Sequence, residues 1–237
     1  RIAGVNAYIA DPVVVDEMQD VARISGVKEC PRVSIFHALN QKATARRHAA
    51  AMGRAYEDLN LIVAHMGGGI SVSAHRRGRV VDTNNALNGD GPIAPERAGT
   101  IPAGELMELC FSGGYSKSQI KSMLTGKGGL VNILGSNSVQ EIAARADEGD
   151  EAARTALDAM SYSIAKSIGE MAAVLKGQVD GIILTGGIAY NQCVNDAVEE
   201  YCRFIAPITI YPGENELESL AENALRVLRS ETVPKEY

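Results

Sequence analysis

At 237 residues, 46% of them hydrophobic and 22% charged, the chain can bury one large core or two modest ones. A formal net charge of −6 argues against nonspecific attraction to nucleic acid or to an anionic membrane, so an anionic substrate must be held by local positive groups. No run approaches the roughly 18 consecutive apolar residues of a membrane helix, and no charged-then-apolar leader precedes the first expected strand.

In chain order, residues 7–10 read as a strand ending in Asp11-Pro12. Only six residues precede it and no methionine opens the chain, so a piece of a longer protein is expected. Residues 34–52 read as a helix with Ser34 as N-cap, Gly53 as stop and His37 in the first turn, while His48, beside Arg46 and Arg47, is expected on a solvated face. Residues 61–85 follow: an apolar run enters Gly67-Gly68-Gly69 and leaves as an alternating strand. Ile70, Val72 and Ala74 point to one face, Ser71, Ser73 and His75 to the other, and Arg76-Arg77-Gly78 turns the chain into Arg79-Val80-Val81. Three glycines in a row let backbone N–H groups approach a ligand closely, as a phosphate cradle requires, or else serve a turn or close packing.

Residues 86–104 hold Gly and Pro in a loop too long for a mere connector, with Arg97 in its middle. A short helix around 105–110 and a glycine-broken helical patch over 115–130 come next. Lys127 lacks the spacing of a Walker loop and reads as a solvated charge. Leu157, Met160, Ile164, Ile168, Met171 and Leu175 then recur by threes and fours, the pattern of a long amphipathic helix capped by Asp150 and stopped at Gly177. The buried-strand run Ile182-Ile183-Leu184 ends at Thr185-Gly186-Gly187, where ligands of open α/β sheets bind, although a Gly-Gly turn can also serve packing alone. The chain closes with a strand over 205–211, Pro212-Gly213, and a helix with apolar positions Leu217, Leu220, Ala221, Ala224, Leu225 and Leu228. Cys30, Cys110, Cys193 and Cys202 are scattered with no metal-ligand spacing, which suits reduced packing cysteines of a cytoplasmic protein.

The strings YIADPVVVDEM, SIFHALNQKA, LIVAHMGGGISVSAH, PERAG, GIILTGGIAYN and YPGENELESLAENALRVL, in that order, resemble the butyrate kinases of the acetokinase family over nearly the whole chain. The resemblance implies an α/β fold of the actin-like ATPase (ribonuclease H-like) type, a mixed sheet with flanking helices, forming the second half of a two-domain acyl kinase. The implied division is residues 1–13 as remnant of a first domain, 14–205 as nucleotide-binding domain, and 206–237 as a last strand and helix packing back towards the first domain. The implied activity is reversible transfer of the ATP γ-phosphate to a short-chain carboxylate, giving acyl phosphate and ADP with Mg²⁺. ATP or ADP and the acid or acyl phosphate are then the partners, with self-association into a homo-oligomer and no nucleic acid or membrane. A superfamily phosphohydrolase and a catalytically silent nucleotide-binding module are the alternatives.

A carboxylate is already ionised at pH 7, so attack on phosphorus needs no general base; the difficulty is bringing two anions together. The resemblance assigns Arg97, His37 and Asp11 to catalysis, Arg97 against the transferring phosphoryl group and His37 against the transition state. An ion pair of Arg97 with Glu96 or Asp90, a capping role for His37 and a turn role for Asp11 are the structural alternatives. His65 with Gly67, Gly68 and Gly69 would hold phosphate, His65 donating to a phosphate oxygen or to its own loop. Gly186, Gly187, Ile188, Tyr190 and Asn191 would contact nucleotide. Glu216 is the metal candidate, with Glu214 its rival because Asn215 stands where an acid is expected. Acetate kinases carry a Ser-Asp-x-Arg string whose arginine covers adenine; Ser136-Asn137-Ser138-Val139-Gln140 lacks both Asp and Arg, leaving base packing to Gln140 or Tyr190.

Overall fold

The computed structural model describes residues 7–234. Five strands form one sheet in the order β3-β2-β1-β4-β5. Strands β1 (Asn60–Met66), β2 (Ile70–Arg76) and β3 (Arg79–Thr83) make an antiparallel meander, and β4 (Gly181–Gly186) and β5 (Ile208–Pro212) add in parallel beyond β1. Parallel addition needs crossovers, and helices fill them. Between β3 and β4 run α2 (Ala103–Phe111), α3 (Lys117–Thr125), α4 (Gly129–Leu134), α5 (Val139–Asp147) and α6 (Glu151–Val174); α7 (Gln192–Cys202) joins β4 to β5. Helix α1 (Ala38–Ala51) precedes the sheet and α8 (Glu216–Leu228) ends the chain.

The long helix α6 packs on β1, β2 and β3 through the apolar positions that its periodicity marks: Leu157, Met160, Ile164, Ile168, Met171 and Leu175 are all buried. Each such side chain contributes about 1.5–3 kcal/mol by leaving water. Asp150 caps the helix by accepting the Ala153 N–H at 3.1 Å, and Gly177 takes a left-handed φ of 71° just past its end. Ile62, Ala64, Met66, Ile70, Val72 and Ala74 belong to this α6-side core. Leu61, Val63 and Ile183 face the other way, onto Ala45 and Ala49 of α1. The sheet is therefore covered on both faces, and the polar side of β2 is buried too: Ser71, Ser73 and His75 are each fully inaccessible.

Several local expectations change. Residues 7–10 form no strand, and Asp11 takes a left-handed φ of 38° at the start of a turn that Val15 N–H closes on the Pro12 carbonyl. Ser34 does not cap α1; its hydroxyl donates to the Val15 carbonyl, and the N-cap position falls to His37, while Gly53 supplies the expected left-handed stop. His48 is buried, not solvated, and its Nδ1 lies 3.2 Å from the Tyr211 hydroxyl across the α1–β5 interface. Helices α5 and α7 go unmarked by the sequence reading, and the last strand starts at Ile208. Because β5 pairs with β4, the chain after residue 206 is an edge of the same sheet. Helix α8 rests on α1, yet Leu217 and Leu228 are 84% and 75% exposed, so most of its apolar stripe lies uncovered among the described residues. Only Cys202 is a packing cysteine; Cys30, Cys110 and Cys193 are exposed. Among the described residues no helix is long and apolar enough to cross a membrane.

Candidate active site

The glycine loop joins β1 to β2 at the end of the sheet where β4 also stops. None of Gly67, Gly68 and Gly69 adopts a positive φ, so conformational freedom is not what selects glycine here. Space is the reason. A Cβ on Gly67 would sit 3.3 Å from His65 Nε2 and 3.4 Å from Glu214 Oε1; one on Gly68 would meet Glu96 Oε2 at 3.3 Å; one on Gly69 would meet the Ala86 carbonyl at 3.2 Å and Arg97 Cγ at 3.4 Å. Side chains from three separate segments, together with the Ala86 carbonyl, thus close on one backbone loop.

His37 reaches this point because Phe36 is buried and the Ile35–Asn85 bridge ties its strand-like lead-in to the end of β3. Its ring stacks on His65, centroids 3.9 Å apart and planes 17° from parallel. Ser71, the cross-strand partner of His65, places its Oγ 2.8 Å from His37 Nδ1. Burial pushes the His37 pKa down to about 3, helped by His65 and Arg97 and opposed by Glu214, so the imidazole is neutral at pH 7. His65 is buried; its Nδ1 donates to Asn40 Oδ1 at 2.9 Å, and the Asn40 amide is oriented by donating to the Gly213 and Glu214 carbonyls. His65 Nε2 lies 3.3 Å from Glu214 Oε1, an ion-pair distance short of hydrogen-bond alignment, and has no hydrogen-bond partner among the described residues. The neighbouring His65 imidazole holds the Glu214 carboxyl below the usual carboxylate range.

Arg97 comes in from the long loop. Glu96 N–H donates to the Gly68 carbonyl at 3.0 Å, laying that loop directly on the glycines, and Asn137 holds the Glu96 carboxylate at 2.8 Å. Beneath it, Gly128 and Gly129 open α4 so close to the loop that a Cβ on Gly129, whose φ is 57°, would overlap the Ala94 carbonyl. Leu130 and Val131 N–H groups then donate to the Ala94 and Pro95 carbonyls at 3.2 and 3.0 Å. Arg97 donates from Nη1 to the Thr125 carbonyl, and its buried Nε–H has no partner among the described residues. An orphaned, buried cationic donor beside a glycine loop is a feature that an incoming anion would satisfy.

The structure brings His37, His65, Arg97 and the three glycines together. It does not bring Asp11 to them: that carboxylate pairs with Arg46 at 3.3 Å and stands 4.0 Å from Lys42, one to two and a half turns along α1 from His37. Nor does Glu216 approach; it is exposed in the first turn of α8, and the acid at the loop is Glu214. In the second glycine turn, Gly186 packs so tightly that a Cβ would overlap the Met66 carbonyl, Ile188 is buried, and Asn191 caps α7 through the Val194 N–H at 3.1 Å. Gly187 faces open space and Tyr190 is 74% exposed, so these two are free to meet a ligand beyond β4. The sequence marks Ser71 only as part of the polar face of β2 and gives Asn40 and Gln41 no role, although these two fall three and four residues after His37, the spacing that puts helical side chains on one side.

The acetokinase family profile matches residues 27–225. Butyrate kinase 2 of Clostridium acetobutylicum is 57% identical over 234 residues, covering 99% of this chain and 66% of its own length. A probable butyrate kinase of Phocaeicola vulgatus is 58% identical over 225 residues, covering 95% of this chain and 64% of its own. The chain therefore spans about two thirds of the curated relatives that it matches. Among solved structures, an acetate kinase from Porphyromonas gingivalis superposes with a TM-score of 0.82 at 21% identity, over 92% of this chain and 63% of that one. A propionate kinase from Francisella tularensis does so with a TM-score of 0.74 at 21% identity, over 85% and 59%. These likenesses establish the α/β fold of the actin-like ATPase type, and the profile and relatives together place this chain in the acetokinase family.

Proposed function

We propose that this polypeptide carries the phosphoryl-transfer half of a butyrate kinase, which moves the ATP γ-phosphate reversibly to butyrate or a branched relative, giving acyl phosphate and ADP. The carrying observation is the convergence of Arg97, with its orphaned Nε–H, and the stacked His37–His65 pair on the Gly67–Gly69 loop. The acceptor carboxylate attacks unaided, so the protein's task is to neutralise charge between two anions. Arg97 would span phosphoryl and carboxylate oxygens with its fork of donors, and neutral His37 would add a hydrogen bond without repelling Arg97. Gly187 and Tyr190 would receive the nucleotide beyond β4. Magnesium would accompany it and lend positive charge to the phosphates when bound. The residues present fit that ion: the Glu214 carboxylate lies against the glycine loop and would be the carboxylate that Mg²⁺ takes when phosphate and water fill its shell. A cytoplasmic, self-associated enzyme completes the reading, with the exposed stripe of α8 supporting burial against further polypeptide.

The test is a hydroxylamine trap with MgATP and acetate, propionate, butyrate or isobutyrate. Acid-dependent hydroxamate, strongest with the four-carbon acids, supports the reading. Phosphate release without hydroxamate would make the protein a phosphohydrolase, and nucleotide binding without turnover would make it a silent binding module.

A further inference from the structure

A chain of buried hydrogen bonds runs along the α1-facing side of the sheet, from the far end of β2 to His37. Tyr56 hydroxyl lies 2.7 Å from His75 Nδ1; His75 Nε2 lies 3.0 Å from Gln41 Oε1; Gln41 Nε2 reaches both the Ser71 carbonyl at 3.1 Å and Ser71 Oγ at 2.8 Å; and Ser71 Oγ lies 2.8 Å from His37 Nδ1. Proton positions follow from counting donors. A backbone carbonyl only accepts, so the atom of Gln41 facing the Ser71 carbonyl is the amide nitrogen, and its oxygen faces His75. His75 therefore donates from Nε2 and accepts the Tyr56 hydroxyl proton at Nδ1. Ser71 Oγ accepts from Gln41 Nε2 and, at 3.4 Å, from the His37 backbone N–H, which uses both of its lone pairs. Its one proton must go to the third neighbour, His37 Nδ1.

We infer that Ser71 and Gln41, backed by His75 and Tyr56, are positioning residues that hold His37 as the Nε2–H tautomer, so that its free nitrogen is always a donor. The stacked partner is held by a separate contact: Asn40 Oδ1 takes the His65 Nδ1 proton, and the His65 Nε2 faces Glu214 Oε1 at 3.3 Å. This inference rests on the phosphotransfer reading only for what His37 donates to; the tautomer itself is a property of the protein without substrate.

Long-range ¹⁵N–¹H correlation spectra of the histidine-labelled protein, with His37 assigned by loss of its signals in His37→Gln, read the tautomer directly. The expected result is an unprotonated Nδ1 and a protonated Nε2 in the wild type. Ser71→Ala should remove that bias and Ser71→Thr should restore it. Gln41→Glu is the sharpest variant: a carboxylate cannot donate to Ser71, so it takes the hydroxyl proton, and Ser71 becomes the acceptor of a proton on His37 Nδ1. The tautomer should reverse, with kcat for hydroxamate formation down about a hundredfold, the scale of one lost oxyanion donor, while nucleotide KM holds. A protonated Nδ1 in the wild type, or an unchanged His37 signature in both Ser71→Ala and Gln41→Glu, would overturn the inference. The expected tautomers in a protein that forms no acyl phosphate would overturn the proposed function and leave this inference standing.

Discussion

Proton linkage at His75 offers a quantitative test of the buried polar layer. His75 is wholly enclosed between the sheet and α1, and burial pushes its pKa down to about 3, with Lys42 and Arg46 acting in the same direction. A histidine depressed in the folded state leaves stability complete above its unfolded pKa near 6.5; stability is lost as the pH falls from there towards 3, because only the unfolded chain takes up the proton. Between about pH 4 and pH 6 the difference approaches one proton, a slope of about 1.4 kcal/mol per pH unit, which accumulates to about 2 kcal/mol by pH 5. His37, depressed to about 3 mainly by burial, adds a contribution of the same sign, whereas Asp82, raised by burial, opposes it. Comparison with His75→Gln removes these shared terms. Urea unfolding at half-unit steps from pH 8 to pH 4.5 should give a wild-type stability that falls more steeply than that of the variant by about one proton. The variant itself loses about 1–3 kcal/mol at pH 8 because the Tyr56 hydroxyl is left with a poorer partner. Equal slopes in the two proteins would refute the argument that His75 is buried neutral.

Four further outcomes are expected. Arg97→Ala should lower the rate of hydroxamate formation by about 10²–10³-fold with little change in nucleotide Kd from calorimetry, and Arg97→Lys should recover little of it, because the planar fork is lost. Gly129→Ala forces an L side chain into a left-handed φ of 57° and onto the Ala94 carbonyl; denaturant titration should register a loss of about 3 kcal/mol or more, and turnover should fall as the Arg97 loop lifts. Glu214→Gln should raise the magnesium concentration needed for half-maximal turnover, whereas Glu216→Gln should leave it unchanged, as measured by magnesium titration at fixed ATP. Cys30, Cys110 and Cys193 should react with a thiol reagent in the folded protein, and Cys202, buried with its pKa pushed up to about 11, should react only on unfolding; absorbance of the released chromophore counts both classes.

Local covalent geometry determined what was legible in the residues alone. The period of two in β2 sorts Ile70, Val72 and Ala74 from Ser71, Ser73 and His75, and the spacing by threes and fours marks the α6 face, because both follow from backbone repeats that need no partner. The order of the motifs carried the resemblance to the acetokinase family, and that resemblance, not any period, singled out Arg97, His37 and His65. Only the tertiary structure decided which polar groups are enclosed and what each one meets. The serine face of β2 is buried because α1, from a different part of the chain, lies over it; His48 is buried because β5 returns beneath that helix. Asp11 is drawn to Arg46 and Lys42, and Glu214 displaces Glu216 at the glycine loop because the turn after β5, 174 positions beyond Asn40, is held there by that side chain. Such pairings depend on which distant segments share a volume, and a hydrogen bond across that distance leaves no period along the chain.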